Sequence, residues 1–324
     1  MSEHDGLICA YILDRDGGGH EIGWPEVADW TESQGLLWVH LNRSIATTCR
    51  WLIEKSGVPA HVAEALLAED TRPRSATVSD GLLVNLRGVN LNPGADPEDM
   101  VSLRLYVERG RIISVRARRL LAIEDIRDSL ARGAGPASEG EFLVRVAGRL
   151  VDRISPVIAD LNDEVDGLET EVVTAESRDL QTALGPLRRQ AISLRRYLAP
   201  QRDVLFRLHG EQNALLEPKD KYGFREIADQ VTRYVEDLDA ARERAAVIQE
   251  ELQNRLAEHM NRTMFLLSLV AAVFLPLSFV TGLLGVNVAG IPGSEYPWAF
   301  AIVTALLVAV AAVQVWLFRS RKMI

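Results

Sequence analysis

Few side chains in this sequence are spaced for covalent chemistry. The six histidines, His4, His20, His40, His61, His209 and His259, show no i, i+3 or i, i+4 pairing, so helical zinc-ligand spacing is absent. Gly17-Gly18-Gly19 lacks the Lys-Ser/Thr that completes a phosphate-cradling loop and reads as a turn. Neither a Gly-x-Ser-x-Gly elbow nor a His-Glu-x-x-His helix occurs. Two cysteines, Cys9 and Cys49, make neither a disulfide scaffold nor a four-cysteine zinc module. Cys49 can meet His61 in the fold, but buried packing is the role its type favours. Nothing here points to an enzyme, and no cofactor and no cytosolic metal ligand is assigned.

What is regularly spaced is a row of small and polar residues. Asn261, Met264, Ser268, Ala271, Leu275, Ser278, Gly282 and Gly285 recur in 3-4 alternation along Met264–Leu284, a run of 21 residues without a formal charge. The row gathers Ser268 and Ser278, two of the three polar residues of that run, Thr281 being the third. A lipid-facing row has no use for this composition. One arrangement that uses it is close helix packing of the small-xxx-small kind, Ser278 to Gly282 and Thr281 to Gly285. The other is a row facing a central water-filled axis. Both remain open on pattern alone, and the second requires a ring of subunits.

The elements that carry the row follow from hydropathy. A second uncharged run, Trp298–Phe318, is interrupted only by Thr304 and Gln314. Each run is long enough to cross a hydrocarbon core roughly 30 Å thick as a helix. Arg255 and Arg262 precede the first run, Arg319, Arg321 and Lys322 follow the second, and the connection 285–297 has no Lys or Arg. The positive-inside rule then places both termini in the cytosol. Tyr296, Trp298 and Trp316 fit interfacial anchors, and the acidic, polar start of the chain does not read as a signal peptide. The chain mean hydropathy of +0.02 hides this division. Residues before 263 carry 33 basic and 44 acidic side chains, an acidity that argues against nucleic acid as a partner.

Ahead of the first span, Phe224, Ile227, Val231, Tyr234, Leu238, Ala241, Ala245, Ile248 and Leu252 form a heptad seam. Between them Glu236, Asp237, Asp239, Arg242, Glu243 and Arg244 read as a solvated charged face. No Pro or Gly intervenes from Arg225 to Leu275, so one helix of about 60 residues, ~90 Å, is expected to enter the bilayer, with Pro276 as a candidate kink. Further helices are expected over 141–176 and 180–216. Strands are expected at Leu7–Ile12, Leu36–Leu41, Leu82–Leu91, Leu103–Val107 and Ile112–Arg116, with short helices at Pro59–Ala68 and Leu120–Arg132. The stretch 133–140 reads as a linker. The expected architecture is an α+β membrane protein. Residues 1–140 form an N-terminal α/β cytosolic domain, 141–262 a long helical stalk continuous with the first transmembrane helix, and 263–324 a C-terminal two-helix hairpin. The hairpin comprises spans 264–284 and 298–318 around an outer loop 285–297, then a cytosolic tail.

At the outer end of the first span stands Gly285-Val286-Asn287, followed by Ala289-Gly290-Ile291-Pro292-Gly293. Set behind so long a helix, this motif resembles the Gly-Met-Asn signature of the CorA-type (2-TM-GxN) divalent metal-ion transporters. Val286, the Gly-Ile-Pro-Gly turn and the segment from Leu187 to Arg202 are similar to the zinc-transporter branch of that family, ZntB. The resemblance covers the chain in order and type of elements. It implies a homopentamer whose first spans line a pore, whose second spans surround them, and whose cytosolic parts form a funnel. By the same resemblance Gly285, Val286 and Asn287 form the selectivity filter, and Asn261 falls at a ring of Asn at the cytosolic end. The cargo so implied is Zn2+, carried across the bacterial inner membrane. Val286 in place of Met puts magnesium in doubt as the main ion.

The residue chemistry fits such a path. Neutral Asn287 carboxamides offer oxygens to the waters of a hydrated cation, and weak capture permits exit. In an oligomer Glu295 would add one negative charge per subunit near the mouth, although a solvated loop acid needs no such role. Met264, Leu275 and Leu267 are candidates for an apolar constriction. The zinc branch is associated with proton-linked uptake, yet neither span contains Asp, Glu, His, Lys or Arg, so a coupling group would lie outside the bilayer or be water bound to the metal. The membrane potential favours import of a divalent cation over export. Alternatives are a magnesium, cobalt or nickel channel of the same architecture, a zinc exporter, and a membrane-tethered coiled-coil scaffold without transport.

Overall fold

The computed structural model describes residues 5–69, 72–172, 177–286 and 296–320. It divides into two compact units, Met1–Gln249 and Glu250–Ile324.

The first unit contains a seven-stranded sheet. Its strands are β1 Leu7–Leu13, β2 Gly19–Ile22, β3 Leu36–Asn42, β4 Arg74–Val78, β5 Gly81–Gly88, β6 Val101–Glu108 and β7 Arg111–Arg116. They lie in the order β2-β1-β3-β7-β6-β5-β4. The β3–β7 pair is parallel, with Val39 opposite Ile113, and the other neighbours are antiparallel. Every residue of β5 is buried, which explains a nearly unbroken apolar run in place of alternation. Helices α1 Trp24–Asp29, α2 Ala46–Glu54 and α3 Ala60–Leu67 supply Val27, Leu52, Val62 and Leu66 to a core with Ala10, Val39 and Ile113. Against another part of the sheet, Phe142 meets Trp38 edge-on at 5.0 Å between centroids. The expected strands all form. Two more, β2 and β4, appear at the two edges, where half-polar sequences gave no apolar signal. Gly110 at φ +75° closes the β6–β7 hairpin.

Helices α4 Leu121–Ala131, α5 Glu139–Asp152, α6 Ser155–Val172 and α7 Ser177–Gly210 follow. The single helix expected over 141–176 is two, because Pro156 has no N–H to continue α5 and instead sits in the first turn of α6. The presumed linker is docked. Gly135 N donates to Gly17 O at 2.6 Å, Ser138 caps α5 by accepting from Glu141 N at 3.2 Å, and the Glu139 carboxylate accepts from Arg15 and from Gly110 N. Gly140 lies inside α5, where a Cβ would strike the Asp220 carboxylate and come within 2.7 Å of Leu215 O.

Helix α8 runs Pro218–Leu284, 67 residues without interruption. Asp220 accepts from Glu217 N at 2.9 Å to start it. In the first unit Phe224, Ile227, Val231, Tyr234, Leu238, Ala241, Ala245 and Ile248 are all buried, as the heptad seam requires. The charged face is not wholly solvated. Asp239 pairs with Arg195 of α7 at 2.6 Å, and Arg244 donates to Asn162 of α6 at 2.8 Å, so two of its members tie helices together. The Leu187–Arg202 segment is likewise structural: Leu187, Leu194 and Leu198 are buried, and Gln201 accepts from Arg87 N of β5 at 2.6 Å. The second unit contains the end of α8 and helix α9 Ala299–Ser320. Both helices are long and apolar enough to cross a membrane. The order is thus an α/β sheet domain, a long helix and a C-terminal apolar helix.

Candidate functional site

The second unit has two distinct faces on α8. At 100° per residue, Leu269, Val273, Leu277 and Val280 fall on one face, and these four are the half-buried residues of its apolar part. On α9, Ala299, Val303, Leu307, Ala311, Gln314 and Phe318 are half-buried at the same 3-4 spacing. Along these rows the two helices meet, and Gln314 Nε2 donates to Ala272 O at 3.3 Å.

Asn261, Met264, Ser268, Ala271, Leu275, Ser278 and Gly282 occupy the opposite face, centred roughly 170° from the α9-facing row by the same helical geometry. All seven are exposed within the chain, Met264 at 58% and Leu275 at 70%. The row is therefore not the surface on which this chain's own second apolar helix packs. Small-residue packing within one hairpin does not account for it, which leaves close packing against another copy and a water-filled axis as the two arrangements for this face.

The polar groups of the row are also uncommitted. Thr281, off the row, donates its hydroxyl to Leu277 O at 3.0 Å and Thr304 of α9 to Phe300 O at 2.8 Å, satisfying themselves on their own helices. Ser268, Ser278 and the Asn261 carboxamide make no side-chain hydrogen bond to a described residue. At the end of α8 the Gly285 N–H bonds Thr281 O at 2.9 Å, and a Cβ there would stand 3.1 Å from that oxygen, so glycine closes the helix tightly. Val286, half exposed at 48%, follows at once. Asn287 and Glu295 lie outside the described residues. Leu267, the third candidate for an apolar constriction, is exposed on the flank of the same face.

In the first unit, no three His, Cys, Asp or Glu side chains among the described residues gather as a metal cluster. Cys9 is buried and its thiol pushed up to about 12 by that burial, which leaves it inert. Cys49 donates weakly to Arg43 O at 3.4 Å while His61 is exposed. His40 sits in a buried network: Arg116 Nε donates to its Nε2 at 3.1 Å, so Nδ1 carries the proton and bonds Ser114 Oγ at 2.8 Å, which also accepts from Trp38 Nε1. Burial, then the Arg116 charge, hold His40 well below the usual imidazole range. The residue that sequence reading undervalued is Gln314. Its signal was the only carboxamide in the second span, seen there as an interruption and not as a partner.

Residues 33–321 match the family described as CorA-like Mg2+ transporter protein. A divalent cation transporter of Pseudomonas aeruginosa, CmaX, is 42% identical over 98% of this chain and 96% of its own length. The zinc transport protein ZntB of Pectobacterium carotovorum is 39% identical over 98% of this chain and 97% of its own. The solved structure of full-length CmaX superposes with TM-score 0.87 at 41% identity, covering 99% of both chains.

Proposed function

The chain belongs to the family of CorA-like Mg2+ transporter proteins, and from that premise we propose that it carries divalent cations, chiefly Zn2+, inward across the bacterial inner membrane. The ion path is an axis shared by several copies, five by family resemblance. Residues 1–140 and 141–262 serve as the cytosolic funnel, residues 263–324 as the membrane hairpin, and both termini face the cytosol.

The observation that carries this reading is the face of α8 bearing Asn261, Ser268 and Ser278, turned away from α9 with its polar groups unspent on the chain's own helices. In hydrocarbon such groups cost free energy; facing water they do not. Gly285, Val286 and Asn287 serve as the filter. The Asn287 carboxamides bind the shell of a hydrated ion without replacing it, whereas carboxylates or imidazoles would hold zinc firmly. Asn261 forms the cytosolic ring, Met264, Leu267 and Leu275 an apolar constriction that closes by dewetting, and Glu295 raises cation concentration at the mouth. Zinc is favoured over magnesium by Val286 and by the zinc transport named for one relative. The unspecified divalent cargo named for the other supports a broader second reading, with cobalt, nickel or magnesium among the ions.

The test is zinc uptake into proteoliposomes. Asn287→Ala is expected to lower the rate at least tenfold, and competing ions rank the preference. Uptake untouched by the substitution sinks the filter assignment, and no flux of any ion favours a tethered scaffold.

A further inference from the structure

Pro276 lies inside α8 and has no N–H, so the carbonyl four residues earlier, that of Ala272, lacks its helical donor. In an apolar surrounding an unpaired carbonyl is costly. Gln314 Nε2, projecting from α9, donates to that same Ala272 oxygen at 3.3 Å. Of the side chains in the two spans, this one carboxamide reaches the one carbonyl that proline has freed. The reversed amide would set oxygen against oxygen, so the donor orientation is fixed by its partner. Gln314 Oε1 is enclosed and finds no described partner, so the side chain's engagement rests on this single bond. Met264–Leu284 and Trp298–Phe318 otherwise meet through apolar side chains, and the two threonine hydroxyls with bonds there, Thr281 and Thr304, serve their own helices.

We propose that Gln314 is a positioning residue, a cross-helix substitute for the hydrogen bond Pro276 removes, which fixes α8 at its weak point and so sets the orientation of Leu275 and Ser278, the members of the row flanking the proline. The consequence for transport rests on the reading of that row as a conduction path; the clamp itself does not. Gln314 faces away from the row, so it acts on the rate and not on ion binding.

A double-mutant cycle on the full-length oligomer decides it, with Gln314→Leu, Pro276→Ala and the double variant in proteoliposomes. Gln314→Leu is expected to lower maximal zinc uptake about threefold, with roughly twentyfold as a ceiling for an interhelical bond of this kind. The half-saturating zinc concentration should not move. In the Pro276→Ala background, where residue 276 again donates to Ala272 O, the same substitution is expected to change uptake by well under twofold. The thermal unfolding midpoint of the hairpin, followed in parallel, should show the same non-additivity. Equal losses in both backgrounds, no loss in either, or failure to assemble in both overturns the proposal. Absence of zinc flux in the unmodified protein would defeat the transport reading while the thermal cycle still decides the clamp.

Discussion

His40 shows how a single buried side chain can impose a pH limit on the soluble unit. Its ring accepts from Arg116 and bonds Ser114, and that pairing holds only for the neutral imidazole. In the unfolded chain His40 takes up a proton near pH 6.5, whereas burial and the Arg116 charge keep the folded form neutral to lower pH. The unfolded state therefore binds more protons below pH 6.5. Stability is fully present above that value and declines as pH falls toward the lowered folded value, by at most about 1.4 kcal/mol per pH unit for one group. Glu139, Glu141, Glu124 and Asp99, whose carboxyls are held below their ordinary values, lose their contribution only at lower pH. Thermal midpoints measured from pH 7 to pH 5 should fall by a few degrees. The slope should flatten in His40→Asn, whose carboxamide takes no proton; an identical slope in the variant would show that another group sets it.

At the scale of the element, the face of α8 opposite α9 can be read by chemistry. In a background with Cys9 and Cys49 replaced, a cysteine in place of Ser278 should react with a water-soluble cationic thiol reagent, and one in place of Leu277, on the α9 side, should react at least tenfold more slowly. Equal protection of both would mean that the row meets lipid or a dry interface. The sequence disclosed this row because a helix repeats every 3.6 residues and composition along one stripe is visible without coordinates. It disclosed the five central strands for a similar reason, since burial on both faces leaves largely apolar runs such as Leu82–Leu86, broken only by Asn85. Strands β2 and β4 were hidden because an edge needs little apolar sequence, and the α5–α6 break was hidden because the apolar stripe continues across Pro156. Tertiary pairs were hidden altogether. Nothing in the spacing of Asp239 or Arg244 announces Arg195 or Asn162, and Gln314 was legible as a polar exception without the carbonyl it serves. Of the candidate filter, Gly285 is legible as the tight close of α8, while the role of Asn287 rests on motif and chemistry.

Across the whole molecule, charge and hydropathy are separated along the chain: the part before residue 263 has 44 acidic against 33 basic side chains, and the two spans have no ionisable side chain. With these two runs crossing the bilayer as proposed, the path has no carboxylate or imidazole there to pass a proton stepwise. The force available to a divalent ion is then chiefly the membrane potential, about 4.6 kcal/mol per 100 mV for a double charge. That corresponds to an accumulation ratio on the order of a thousandfold at equilibrium. Vesicles holding an inside-negative potential at equal pH on both sides should accumulate zinc, and reversing the potential should empty them. Imposing a pH gradient at zero potential should add little, because neither span holds a side chain that takes up or releases a proton. Accumulation that tracked the pH gradient and ignored the voltage would contradict this account, and would move the search for the coupling group to the acidic side chains of α8 ahead of Asn261.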